Sequence, residues 1–83
     1  MNTTKIKTTG HSADVQMQLF LNGSVLSIGQ LGIGFIILDN PRDHGPMDAE
    51  IFVSIDGRER RWTVHLPDGI SAAEPHTRIQ SCQ

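Results

Sequence analysis

The chain has little of what usually carries chemistry. Cysteine occurs once, as Cys82, so no intrachain disulfide can staple the fold. A reducing, cytoplasmic setting is the matching expectation. Tyrosine is absent, and one tryptophan and three phenylalanines supply all the aromatic side chains of the 83 residues. No apolar run approaches the ~18–20 residues of a membrane span, and no apolar segment follows a basic start as in a secretory leader. A soluble protein without a membrane partner is expected. Positive charge is not in excess either: seven Lys and Arg stand against nine Asp and Glu, a formal net charge of -2. That balance speaks against non-specific nucleic-acid binding, which calls for a basic surplus. Hydrophobic residues make up 37%, a modest supply for a domain that at this size buries only about 60% of its unfolded surface. A homodimer would be a compatible source of further core.

Reactive constellations are missing as well. Four histidines, His11, His44, His65 and His76, lack the short spacing of a zinc motif, and Cys82 has no partner thiol. His44 stands beside Asp43 in a loop with Asp39 and Asp48, without the ordered ligand spacing of a calcium loop. No metal and no cofactor are expected, and the histidines read as surface residues. Ser27 and Ser54 are outside any G-x-S-x-G elbow. Gly29, Gly32 and Gly34 run G-x-x-G-x-G with no Lys-Ser/Thr after them, so they suit turns and bulges better than a phosphate cradle. Nothing here predicts an enzyme.

What the sequence does have is a hairpin. In residues 48–66, Ile51, Val53 and Ile55 alternate with polar positions and Phe52, and Trp62, Val64 and Leu66 alternate with Arg61, Thr63 and His65. Asp56-Gly57 between them is a type I′ signal. A two-residue turn pairs Ile55 with Arg58, Val53 with Arg60, Ile51 with Trp62 and Ala49 with Val64. That register collects the apolar residues on one face, and it predicts that Trp62 is mostly buried against Ile51.

Elsewhere the pattern is β as well. Residues 1–12 are polar and threonine-rich and read as a flexible N-terminal segment, followed by a single β domain over 13–80 and a tail at 81–83. The alternating run VQMQLFL makes a second clear strand, closed by Asn22-Gly23 as another type I′ pair. A strand start is expected at Val25 and Leu26, interrupted by a turn or short 3₁₀ segment in the glycine-rich residues 27–34. There, Ser27 could cap one helical turn that places Ile28 and Leu31 inward. FIIL at 35–38 reads as a strand buried on both sides, and DNPRDHGP at 39–46 as a loop. Pro67-Asp68-Gly69 ends the hairpin. Residues 70–83 either add a short strand around Thr77 and Ile79 or drape over the core. The sum is an all-β fold, a small sandwich or partly open barrel of about five antiparallel strands with tight hairpins.

The run VSIDGRERRWTVHLPDGI, preceded by LFLNGSVLSIGQLG and FIILDNP, resembles a group of short uncharacterised bacterial β-proteins. The shared elements are the S-I-D-G turn at 54–57, an Arg before a Trp-x-Val strand at 61–64, and L-P-x-G-I at 66–70. The likeness spans roughly residues 19–79. It implies a fold and domain limits but no catalytic residues.

One feature rises above background: Arg58-Glu59-Arg60-Arg61 at the tip of the ribbon. Three arginines there could reach phosphates or carboxylates, and the register sets Arg61 opposite Phe52 for a cation–π stack. Phe20 and Phe52 are expected on outward faces. The competing reading is a charged hairpin end that keeps the ribbon soluble and discourages edge pairing. The functional expectation is a non-enzymatic interaction domain that presents Arg58, Arg60, Arg61 and Phe52 to a protein partner, as an inhibitor, adaptor or accessory subunit, with phage or mobile-element origin among the options. The alternative is a nucleic-acid-binding β module that uses the same arginines on phosphates and Trp62 or Phe52 for stacking.

Overall fold

The computed structural model describes residues 14–81. Residues 1–12, read above as a flexible segment, lie outside the described residues, as do His11 and Cys82. Within them the chain is all-β. Seven antiparallel strands, β1 (Val15–Leu21), β2 (Ser24–Gly32), β3 (Phe35–Leu38), β4 (Met47–Ile55), β5 (Arg58–Leu66), β6 (His76–Arg78) and β7 (Gln80–Ser81), form one sheet in the order β6-β3-β2-β1-β4-β5-β7. The central hairpin has the register its turn and alternation predict, from Ile55 opposite Arg58 to Ala49 opposite Val64. Asp56 and Gly57 take φ values of 50° and 85°, the two left-handed positions that a type I′ turn demands.

The strand count exceeds the expected five because the C-terminal segment pairs twice. β6 lies along β3, with Ile36 opposite Thr77. After Ile79, whose N–H donates to the Gly34 carbonyl at 3.0 Å, β7 lies along β5, with His65 opposite Gln80. One short segment thus joins the two outer strands and curls the sheet into a nearly closed barrel. Ser81, expected in a tail, is the last residue of β7.

The glycine-rich stretch also differs from expectation. β2 runs unbroken through it, with a register shift between Ile28 and Gln30. An extra residue in one strand reverses the side-chain alternation. Leu26 and Ile28 therefore face inward before the bulge, and Leu31, opposite the inward Ile36, faces inward after it. The bulge achieves the inward placement of Ile28 and Leu31 that the alternative of a helical turn capped by Ser27 would have given. At Gly29 the Asp39 carboxylate takes the space of a side chain: its Oδ1 lies 2.5 Å from where a Cβ would stand. Ser27 Oγ donates to Asp39 Oδ2 at 2.7 Å and so holds that carboxylate in place.

β3 is buried on one face, not two. Ile36 and Leu38 point into the core, while Phe35 and Ile37 are half-buried outside. Phe35 is covered by its neighbours, since its ring lies over Gly32 and stacks on His76 at 4.7 Å and 15°. The Asn22-Gly23 turn departs from type I′ as well: Gly23 has φ 84°, but Asp56 is the only described non-glycine residue with positive φ.

Leu19, Ile36, Leu38, Ile51, Val64 and Leu66 are the innermost side chains. The end of the barrel away from the Asp56-Gly57 turn is shut by two crossing loops. His44 and Ile70 exchange backbone hydrogen bonds at 2.8 Å, the Ala72 N–H donates to Asp43 Oδ1 at 2.8 Å, and Ile70 is buried in the core. Trp62 packs against that core and is mostly buried, as expected, though one edge stays open. It stands beside Leu31, Ile33 and Ile79 in a cleft of about 400 Å³, on the side where β5 runs past the end of β7.

Candidate functional site

The tip of the β4–β5 hairpin projects beyond the core, and a third strand braces it. Val15 pairs with Ile55. At the turn itself the Asp56 N–H donates to the Asp14 carbonyl at 2.9 Å, and the Asp14 N–H donates to Asp56 Oδ1 at 2.8 Å. A two-stranded ribbon alone is marginal in water. Tied in this way to β1, the tip is a three-stranded platform.

Alternation then sorts the arginines. Arg58 and Arg60 share the face of Val53 and Ile55, and the four line a shallow cavity of about 240 Å³. This is the same sheet face that forms the core further along, here with nothing opposite it among the described residues. Ile55 is consequently 46% exposed and Val15 across from it 47%. Both arginines are exposed, and among the described residues neither makes an ion pair. Arginine guanidinium keeps its charge at any ordinary pH and accepts carboxylates in bidentate geometry.

Arg61 lies on the opposite face and is engaged within the chain. Its guanidinium sits 5.1 Å from the Phe52 ring centre and 5.9 Å from that of Phe20, with Nη1 3.5 Å from Glu50 Oε1. Phe20 and Phe52 meet edge to face at 6.0 Å. The expected Arg61–Phe52 stack is present. Phe52 faces outward, as the register requires, but under Arg61 and Phe20 it is only 8% exposed. It therefore supports the surface from beneath and offers no open aromatic face. The four residues singled out in the sequence form two sites back to back: Arg58 and Arg60 over an apolar floor, and Arg61 as a lid on Phe52.

Three further polar side chains are engaged within the chain. His65 Nδ1 donates to Asp48 Oδ1 at 2.8 Å, His44 Nδ1 to the Gly45 carbonyl at 3.0 Å, and Arg78 Nε to Asp68 Oδ2 at 3.0 Å. Among the described residues no three His, Cys, Asp or Glu side chains gather as metal ligands would, and no helix is long and apolar enough to cross a membrane. The apolar ledge formed by Val15 and Ile55 is the part of the site that sequence reasoning missed. Half of its signal was present: in the register used to place Trp62, Ile55 falls past the last fully apolar cross-strand pair, whereas Val15 joins it only through the β1–β4 pairing. No family model matches the chain, and no similar protein is found among curated proteins or solved structures.

Proposed function

We propose that this chain is a non-enzymatic interaction domain whose barrel holds the arginine-bearing tip of the β4–β5 hairpin against a protein partner. The observation that carries this reading is the pair Arg58 and Arg60, exposed and without an ion pair among the described residues, beside an apolar ledge of Ile55 and Val15 that no described residue covers. An apolar centre edged by arginine has the composition of an interface anchor. The partner surface that fits it carries an apolar side chain flanked by carboxylates. Inhibitor, adaptor and accessory subunit are all roles such a surface can serve, and kinship with the short bacterial β-proteins that share the S-I-D-G turn belongs to the same proposal. The nucleic-acid alternative has less support: Phe52 is covered, so a base finds no face there on which to stack.

The test is recovery of the partner from the native host with wild type and with Arg58, Arg60 and Arg61 all changed to Ala. The expected result is a partner bound by wild type and lost from the variant, with retention that falls only moderately as salt rises. Equal recovery by both proteins would remove the hairpin from the account. Binding to DNA or RNA with a steep salt slope would replace the protein partner with a nucleic acid.

A further inference from the structure

The backbone of β5 adds a feature that the side chains alone do not show. β5 pairs with β4 along its whole length but with β7 only at Val64 and His65. The Asp56 N–H points to β1, where it donates to the Asp14 carbonyl. In an antiparallel ladder successive residues turn their hydrogen-bonding groups to opposite sides, so Ile55, Val53 and Ile51 turn theirs to β5. Their partners Arg58, Arg60 and Trp62 are bonded to β4 in return. Glu59 and Arg61 therefore aim both N–H and C=O away from the sheet, and among the described residues no backbone group meets them.

We propose that the partner docks by laying an extended, acidic strand along this edge of β5, an inference that rests on the binding role of the hairpin tip. An edge with unspent backbone groups is a template for an added strand, and the charge pattern selects which strand. Arg58 and Arg60 flank it on one face and Arg61 on the other, with Glu59 the only acid between them. A second copy of β5 is a poor occupant. The antiparallel registers that bring Glu59 and Arg61 into hydrogen-bonded pairs set Arg58 across Arg60, Arg60 across its own copy between two Glu59–Arg61 pairs, or Arg61 across its own copy, so each carries at least one like-charge pair. Like charges directly opposite are destabilising. A strand with Asp or Glu at alternate positions presents them on one face, where they meet Arg58 and Arg60 with opposite charge, while its backbone satisfies Glu59 and Arg61. Backbone bonds then supply affinity, and the carboxylates fix register.

A blocked, fluorescein-labelled peptide of alternating Asp and Val tests this on the full chain, read by anisotropy and by amide hydrogen exchange. Wild type should bind it, with exchange at Glu59 and Arg61 slowed by about tenfold or more in the complex. R58A/R60A should weaken binding by about tenfold or more, since each 1.4 kcal/mol of lost interaction is a factor of ten. The same peptide N-methylated at alternate residues, which blocks one hydrogen-bonding edge without changing charge, should not bind. If the N-methylated peptide binds as well as the parent while R58A/R60A binds neither, strand addition is wrong and the arginine tip survives as a charge contact. If R58A/R60A binds the parent peptide as wild type does, the tip reading itself fails. Absence of any peptide binding, protection of Glu59 and Arg61 that grows with protein concentration alone, or displacement of the peptide by a single-stranded oligonucleotide would each overturn the acidic-strand proposal.

Discussion

Trp62 shows what one residue contributes where the barrel is incompletely closed. It packs on the core through one side and lines the cleft with the other. Large-to-small changes of a fully buried Phe or Trp cost about 3–5 kcal/mol. Its open edge places Trp62→Ala toward or below the lower end, at about 2–3 kcal/mol, with a clear drop in the thermal midpoint and a wild-type emission maximum between those of buried and free indole. An unchanged midpoint would detach Trp62 from the core. Thr77 is the opposite case. It is 3% exposed, faces the interior opposite Ile36, and its hydroxyl finds no hydrogen-bond partner among the described residues. A buried hydroxyl without a partner costs about 1–3 kcal/mol. Thr77→Val should therefore raise stability by about 1 kcal/mol in urea unfolding. A loss of stability would show that the hydroxyl is bonded after all. Sequence pattern places Trp62 on the inner face, because alternation and turn agree there. It could not place Thr77 inside, since one polar residue in a short polar segment carries no period.

Elements were legible in proportion to how locally they are specified. The β4–β5 hairpin is fixed by its own turn and alternation, and its register follows from those alone. β6 and β7 are three and two residues long. They exist because their backbone finds two separate outer strands, a long-range fact with no local signature. The bulge in β2 is an intermediate case: glycine announces an irregularity, but its kind depends on Asp39 filling the space at Gly29. The turns differ in the same way. At Gly69, φ is 68° and a Cβ would run into the backbone of His44 and Gly45. Gly23 has φ 84° but open space around it. Gly69→Ala should therefore cost more than the roughly 1 kcal/mol expected for Gly23→Ala from backbone conformation alone, by about 2 kcal/mol. Comparing the two midpoints checks this. Equal losses would mean that the crossing loops at 44 and 70 do not lock the end of the barrel.

At the scale of the molecule, stability and recognition occupy different ends. The core lies between the strands and under the crossing loops, while Arg58, Arg60, Ile55 and Val15 extend past it at the tip. R58A/R60A should accordingly shift unfolding by no more than about 0.5 kcal/mol, as for surface changes in general. A larger loss in denaturant titration would make these arginines part of the fold. The site was half legible in the sequence. The arginine run and the Arg61–Phe52 stack follow from register. The covering of Phe52 and the bare ledge beside Arg58 depend on where the barrel's core ends. In the proposed role the tip, and not another face, meets the partner. A photo-crosslinking residue at Glu59, compared in the native host with the same residue at Asn22 in the β1–β2 turn, tests it most directly. Both positions are exposed, and they lie at opposite ends of the β1–β4 pairing. The expected result is a discrete crosslinked protein from position 59, absent from position 22 and lost when Arg58 and Arg60 are also changed to Ala. The same product from both positions, or from position 22 alone, would contradict it.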